Sequence, residues 1–82
     1  MKKIDVYTKP DCQPCELVKH ILDEEDVPFC LIPYNANRET AELMRANNIT
    51  SLPAIFIDDQ YAGSGLTAVL KINPDIKISQ YL

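Results

Sequence analysis

The chain has 82 residues, 46% of them apolar, and eight Lys and Arg against twelve Asp and Glu give a formal net charge of −4. That length is one small domain, expected over residues 1–82, burying only roughly 60% of the surface its unfolded chain would expose. The apolar content excludes a wholly disordered chain, and an acidic chain without a basic cluster argues against nucleic-acid binding.

No apolar run approaches the ~20 residues needed to cross a bilayer. The opening Lys2-Lys3-Ile4-Asp5 lacks the apolar core of a secretory signal. The expectation is a cytoplasmic chain with no membrane partner. Three cysteines are an odd number and too few for a disulfide scaffold, so their spacing carries the information: Cys12 and Cys15 enclose two residues, and Cys30 stands alone.

Taken in chain order, Ile4, Val6 and Tyr7 form a short strand that runs into the proline-marked loop Thr8-Lys9-Pro10-Asp11. From Pro14 the period changes. Leu17, Val18, Ile21 and Leu22 recur at helical spacing, which predicts an amphipathic helix from about Pro14 to Glu25, with proline in the first turn where no N–H is missed. The acidic run Asp23-Glu24-Glu25-Asp26 reads as a solvated exit from that helix. Phe29-Cys30-Leu31-Ile32, between Pro28 and Pro33, has strand length and an apolar character that predicts burial, with Cys30 as a small packing residue. Asn35 or Asn37 caps a second helix whose modest apolar face is Ala41, Leu43, Met44 and Ala46, ending at Asn47-Asn48. Ala54-Ile55-Phe56-Ile57 is the most strand-like segment; Asp58-Asp59-Gln60 and a short arm at Tyr61-Ala62 complete a hairpin, which Gly63-Ser64-Gly65 breaks. Leu66 to Ile72 reads as a short helix stopped before Pro74, and the last eight residues are ambiguous. The order strand, helix, strand, helix, strand, strand, helix requires a right-handed parallel β-α-β unit followed by an antiparallel hairpin. The expected fold class is therefore α/β, a mixed four-stranded sheet flanked by helices.

Cys12-Gln13-Pro14-Cys15 lies where a loop enters a helix. A cysteine there faces unpaired N–H groups and the positive end of the helix dipole, which favour thiolate, the form that attacks disulfides. A second cysteine one turn on is placed to attack the resulting mixed disulfide. Cys12 is thus the candidate nucleophile and Cys15 the resolving thiol. The competing use of such a pair is zinc. Tetrahedral zinc needs four ligands, and only His20 and Cys30 remain as soft donors, expected on a polar helix face and in a buried strand. A metal site is not expected.

Three segments together resemble the glutaredoxins of the thioredoxin superfamily. Tyr7-Thr8-Lys9-Pro10-Asp11-Cys12-Gln13-Pro14-Cys15 is similar to the family's opening, with a lysine three residues before the nucleophile. Ser51-Leu52-Pro53 matches a Thr-Val-Pro segment, and Ala54 to Gln60 followed by glycine resembles the terminal hairpin. The resemblance implies a thioredoxin-like β-α-β-α-β-β-α fold and a cis Pro53 beside the thiols. It also implies a Leu52 backbone that pairs with a disulfide-bearing partner, and a shallow apolar surface of Pro10, Pro14, Leu52, Pro53 and Leu66. Lys9 would approach a substrate carboxylate, or is simply an exposed loop lysine.

Departures from the family bear on the subclass. Glutathione-dependent members follow the hairpin with Gly-Gly and an acidic pair that caps the γ-glutamyl end of glutathione, whereas here Gly63-Ser64-Gly65-Leu66-Thr67 has no acidic residue until Asp75, leaving Thr67 and helix N–H groups to hold that end. Ser64-Gly65-Leu66 is closer to the Ser-Gly-Phe of the NrdH-redoxins, without the arginine usual after it. By that resemblance the chain is a monomeric dithiol-disulfide oxidoreductase. It needs no cofactor, reduces a protein disulfide such as that of ribonucleotide reductase, and is recharged by thioredoxin reductase. The alternatives are a glutathione-dependent glutaredoxin with glutathione as co-substrate, and a redox-inactive binding domain of the same fold. Besides the cysteines, the implied substrate-binding residues are Lys9, Gln13, Pro14, Leu52, Pro53, Ser64, Gly65, Leu66 and Thr67.

Overall fold

Alternation along two central strands divides the protein into two cores. The computed structural model describes residues 2–82. In β1 (Ile4–Thr8), Ile4 and Val6 point to one face of the sheet and Tyr7 to the other; in β3 (Ala54–Ile57), Ile55 joins the first face while Ala54 and Phe56 join the second. On the first face lie α1 (Gln13–Glu24), contributing Val18, Ile21 and Leu22, and α3 (Leu66–Ile72), contributing Ala68 and Val69. The second face is covered by α2 (Arg38–Ala46), whose Met44 packs with Tyr7 and Phe56. Tyr7 meets Phe56 edge-on with ring centroids 5.2 Å apart.

The strand order is β2-β1-β3-β4, where β2 is Cys30–Pro33 and β4 is Gln60–Ser64. β1 pairs parallel with β2 and antiparallel with β3, and β3 pairs antiparallel with β4, giving the mixed four-stranded sheet expected. α2 is capped by Asn37, whose side chain accepts from the Thr40 N–H at 2.8 Å. The hairpin turns on Asp58 (φ 50°) and Asp59 (φ 67°), the left-handed pair that a two-residue turn requires and that Asp tolerates. Lys3 pins this turn: its N–H donates to Asp58 Oδ1 at 2.9 Å and its ammonium to Asp59 Oδ1 at 2.8 Å. No helix among the described residues is long and apolar enough to cross a membrane.

Three expectations need correction. β4 does not stop at Ala62. Ile55 pairs with Gly63 and Ala54 with Ser64, across a register irregularity between Ile55 and Phe56. Gly63 makes this continuation workable because its φ of 136° is one that L side chains rarely adopt; space is not the constraint, since a side-chain carbon there would meet Ala68 of α3 at an ordinary contact distance of 3.5 Å. Cys30 is exposed rather than packed, because β2 is the edge strand and the covering helices leave it open; Leu31 beside it is 46% exposed. The apolar face of α2 is also narrower than expected. Ala41 and Ala46 are exposed, and Thr40 and Met44 are buried.

The ambiguous C-terminus closes the first core. Ile76 is buried there, and a 3₁₀ turn at Ile78–Tyr81 brings the Tyr81 hydroxyl to Glu25 Oε2 at 2.5 Å. His20 lies on the exposed side of α1, edge-on to Tyr81 with ring centroids 5.7 Å apart.

Replacing Phe56 by Ala empties the second core and is expected to cost about 3–5 kcal/mol in urea unfolding, whereas Leu70→Ala on the exposed side of α3 should change stability by less than about 0.5 kcal/mol. The Tyr81 hydroxyl, donating to Glu25, has its pKa pushed up from 10.0 to about 12. A tyrosine pKa raised on folding contributes stability that is whole below pH 10 and fades as pH rises through 12. Absorbance titration should therefore show a late tyrosine component near pH 12 that Tyr81→Phe removes.

Candidate functional site

The pairing of Tyr7 with Ala54, and of Ala54 with Ser64, brings three chain segments to one end of the sheet. They are the loop after β1, the loop before β3, and the turn after β4. Cys12 is the N-cap of α1, with extended backbone (φ −115°, ψ 103°). Its carbonyl accepts from the Glu16 N–H at 3.1 Å and its Sγ from the Cys15 N–H at 3.2 Å. Pro14 sits in the first turn, where its missing N–H leaves no bond unmade. The helix thus holds the two sulfurs one turn apart: Cys12 and Cys15 form a disulfide across a Cα–Cα distance of 5.2 Å. The two are not equivalent. Cys15 is 3% exposed within the core, whereas Cys12, at 8%, lines an open depression of about 470 Å³ with Asp11, Gln13 and Glu16.

The Leu52–Pro53 peptide bond is cis, as the resemblance implied. Pro53 is fully buried, so it supports the loop from beneath instead of contributing to the surface. Its carbonyl accepts from the Gly65 N–H at 2.9 Å. The Ser64 hydroxyl donates to the Ser51 carbonyl at 3.0 Å and shares a 2.7 Å hydrogen bond with the Tyr61 hydroxyl. These bonds clip residues 51–53 to the end of β4. Leu52 itself is half-buried, and its backbone N–H and carbonyl make no hydrogen bond to another described residue.

Two grooves flank this centre. Gln13, Pro14, Gly65 and Leu66 line an apolar groove of about 350 Å³, together with Leu17. Lys9 and Leu52 line the other, of about 480 Å³, with Tyr34, Met44, Arg45 and Ser51 among its walls. Of the residues named from sequence, Ser64 and Thr67 have structural tasks: Ser64 bridges two segments, and the Thr67 hydroxyl donates to the Ser64 carbonyl at 3.2 Å in the first turn of α3. Leu17, Tyr34, Met44 and Arg45 were missed. Leu17 and Met44 carry only the helical period of core residues, and Arg45 reads as a solvated helix cation, so no sequence signal singles them out. Among the described residues no three His, Cys, Asp or Glu side chains converge on a common point.

A surface-opening cysteine at a helix N-terminus, a buried partner one turn on, and a cis-proline loop at the same sheet end are the features of a thioredoxin-like thiol-disulfide oxidoreductase. The glutaredoxin family model matches residues 4–62, and the chain belongs to that family. It is 33% identical to glutaredoxin 3 of Escherichia coli over 64 residues, spanning 77% of each chain. The glutaredoxin-like protein NrdH of the same organism is 30% identical over 57 residues, spanning 70% of each. The structure of NrdH-redoxin from E. coli superposes with a TM-score of 0.69 at 28% identity, covering 95% of this chain and 92% of that one.

Ser64→Ala removes the clip between β4 and the Ser51 carbonyl. It should lower stability by about 1–2 kcal/mol in urea unfolding, with hydrogen-exchange protection lost first at the Gly65 N–H, which donates to the Pro53 carbonyl.

Proposed function

We propose that the chain is a dithiol reductant of protein disulfides, with Cys12 as nucleophile and Cys15 as resolving thiol. The observation that carries this reading is the asymmetry of the pair. Cys12 lines a surface depression and its Sγ accepts the Cys15 N–H, while Cys15 lies deeper in the core at 3% exposure against 8% for Cys12. That N–H and the helix dipole favour thiolate at Cys12. The thiolate attacks one sulfur of the partner disulfide, forming a mixed disulfide and expelling the other partner sulfur as thiolate. Cys15, deprotonated, then attacks Cys12 Sγ and expels the second partner thiolate. The partner gains two electrons and, at neutral pH, two protons; the Cys12–Cys15 disulfide is the product.

Binding falls to the surroundings of the pair. The open backbone of Leu52 pairs with the partner's extended chain, and Gln13, Pro14, Gly65 and Leu66 give it an apolar bed. Pro53, Ser64 and Thr67 hold that edge in shape from below and beside it. Similarity to NrdH, together with the Ser64-Gly65-Leu66 segment, favours ribonucleotide reductase as client and thioredoxin reductase as the source of electrons. The Thr67 hydroxyl already donates to the Ser64 carbonyl at 3.2 Å, which supports the same choice, since the γ-glutamyl end of glutathione would have to compete for it. Similarity to glutaredoxin 3 and the shared groove of Lys9 and Leu52 favour a second reading, in which glutathione is the co-substrate.

A split NADPH assay on a disulfide substrate separates the two. Turnover is expected with thioredoxin reductase; turnover only with glutathione and glutathione reductase would establish the second reading. Cys12→Ser should abolish turnover in both arms. Cys15→Ser should stop at the mixed disulfide, visible by mass spectrometry as a covalent adduct, and Cys30→Ser should turn over as the wild type does.

A further inference from the structure

Two hydroxyls in series connect the second core to the loop before β3. The Ser64 hydroxyl has one proton, and it goes to the Ser51 carbonyl at 3.0 Å. The 2.7 Å hydrogen bond between Ser64 and Tyr61 must therefore take its proton from the phenol, so donation runs from Tyr61 to Ser64 to Ser51. The head of this relay is fixed. Tyr61 pairs with Phe56 across β3 and β4, their ring centroids lie 5.5 Å apart, and Phe56 in turn meets Tyr7 edge-on. The tail lies beside Leu52. Ser64 holds the Ser51 carbonyl and the Gly65 N–H holds the Pro53 carbonyl at 2.9 Å, which leaves Leu52 between them with its own N–H and carbonyl open. The Gly65 tie is backbone to backbone. The Ser64 tie depends on a hydroxyl that rotates unless a second partner orients it, and a proton received from the phenol also strengthens its own donation.

Resting on the dithiol function proposed above, we infer that Tyr61 is a positioning residue for the reduction of disulfides carried on extended polypeptide. Its hydroxyl bonds to Ser64 rather than to either cysteine, so it acts on the reaction only through the loop. By way of Ser64 it holds the Ser51 carbonyl, and with it the orientation of the Leu52 peptide groups that a partner's backbone must meet in hydrogen-bonding geometry. A small disulfide with no peptide backbone reaches Cys12 without that pairing and gains nothing from the relay. Tyr61 thereby biases the site towards protein clients over low-molecular-weight disulfides. The bias is set from the sheet face opposite α1, which carries the cysteines.

The test compares the reduced full chain with Tyr61→Phe, which keeps the ring and removes the phenol, on two substrates: an extended peptide bearing a disulfide, and hydroxyethyl disulfide. In stopped-flow reduction the second-order rate constant for the peptide should fall about three- to tenfold, while that for hydroxyethyl disulfide stays unchanged. Ser64→Ala should give a selective loss at least as large. The double variant Tyr61→Phe/Ser64→Ala should lose no more than Ser64→Ala alone, because the two hydroxyls act in series. Tyr81→Phe, the same chemical change in the C-terminal turn, should alter neither rate. Equal losses on both substrates, no loss on either, or additive losses in the double variant would each overturn the inference while leaving the dithiol function standing. A readout independent of turnover separates the two failures. Amide exchange at Gly65, whose N–H donates to the Pro53 carbonyl, should quicken at least about threefold in Tyr61→Phe. If the wild type reduces neither substrate, the dithiol function fails and Gly65 decides the relay alone: quickened exchange upholds it and unchanged exchange overturns it.

Discussion

The antiparallel pairing of β1 with β3 is the constraint on which the site depends. Residue alternation leaves little freedom in that register: Ile4, Val6 and Ile55 must share one face, and Tyr7, Ala54 and Phe56 the other. A slip by one residue would turn Asp5 and Tyr7 into the core under α1 and α3. With the register held, the chain leaving β1 and the chain entering β3 emerge side by side. The cysteine helix and the cis-proline loop, some forty residues apart in sequence, therefore meet at one sheet end.

Division of labour between the two faces follows. The α1/α3 face is continuous, extends through Ile76 to the C-terminal turn, and supports α1 along its length. That support aims the first turn of the helix, and with it Cys12, at the loop end of the sheet. The α2 face is smaller, built around Tyr7, Met44 and Phe56. It leaves Cys30 on the β2 edge open and leaves a groove under the C-terminal half of α2. The exposed edge and the groove share one cause, a helix too narrowly apolar to cover its side of the sheet.

The chemistry depends on how the helix begins. An extended Cys12 lets its side chain take the place a serine or aspartate fills in an ordinary cap, receiving the Cys15 N–H on sulfur. The same turn buries Cys15. One local geometry therefore places one cysteine at the wall of a surface depression and the other in the core. The 51–53 loop is built on a different plan. It is held by hydrogen bonds from Ser64 and Gly65, which leaves the Leu52 backbone open at the centre of the site.

The order of elements, the cysteine pair at a helix start and the family were legible in the sequence, because periodicity, proline placement and the spacing of Cys12, Cys15 and Leu52-Pro53 are local or nearly local signals. Element boundaries were recovered to within a residue or two, except that β4 runs on through Gly63, whose positive φ serves a strand irregularity as well as it would serve a turn. Exposure was not legible at Cys30: an apolar run looks the same at a sheet edge as at its centre, and only strand order decides which it is. Nor could the sequence tell Arg45, a groove cation, from Arg38, a solvated one, or Pro53, a buried strut, from Pro14, a surface residue. Those distinctions depend on which distant segment packs alongside, and pairing of β1 with β3 and β3 with β4 settles that only when the whole sheet has formed.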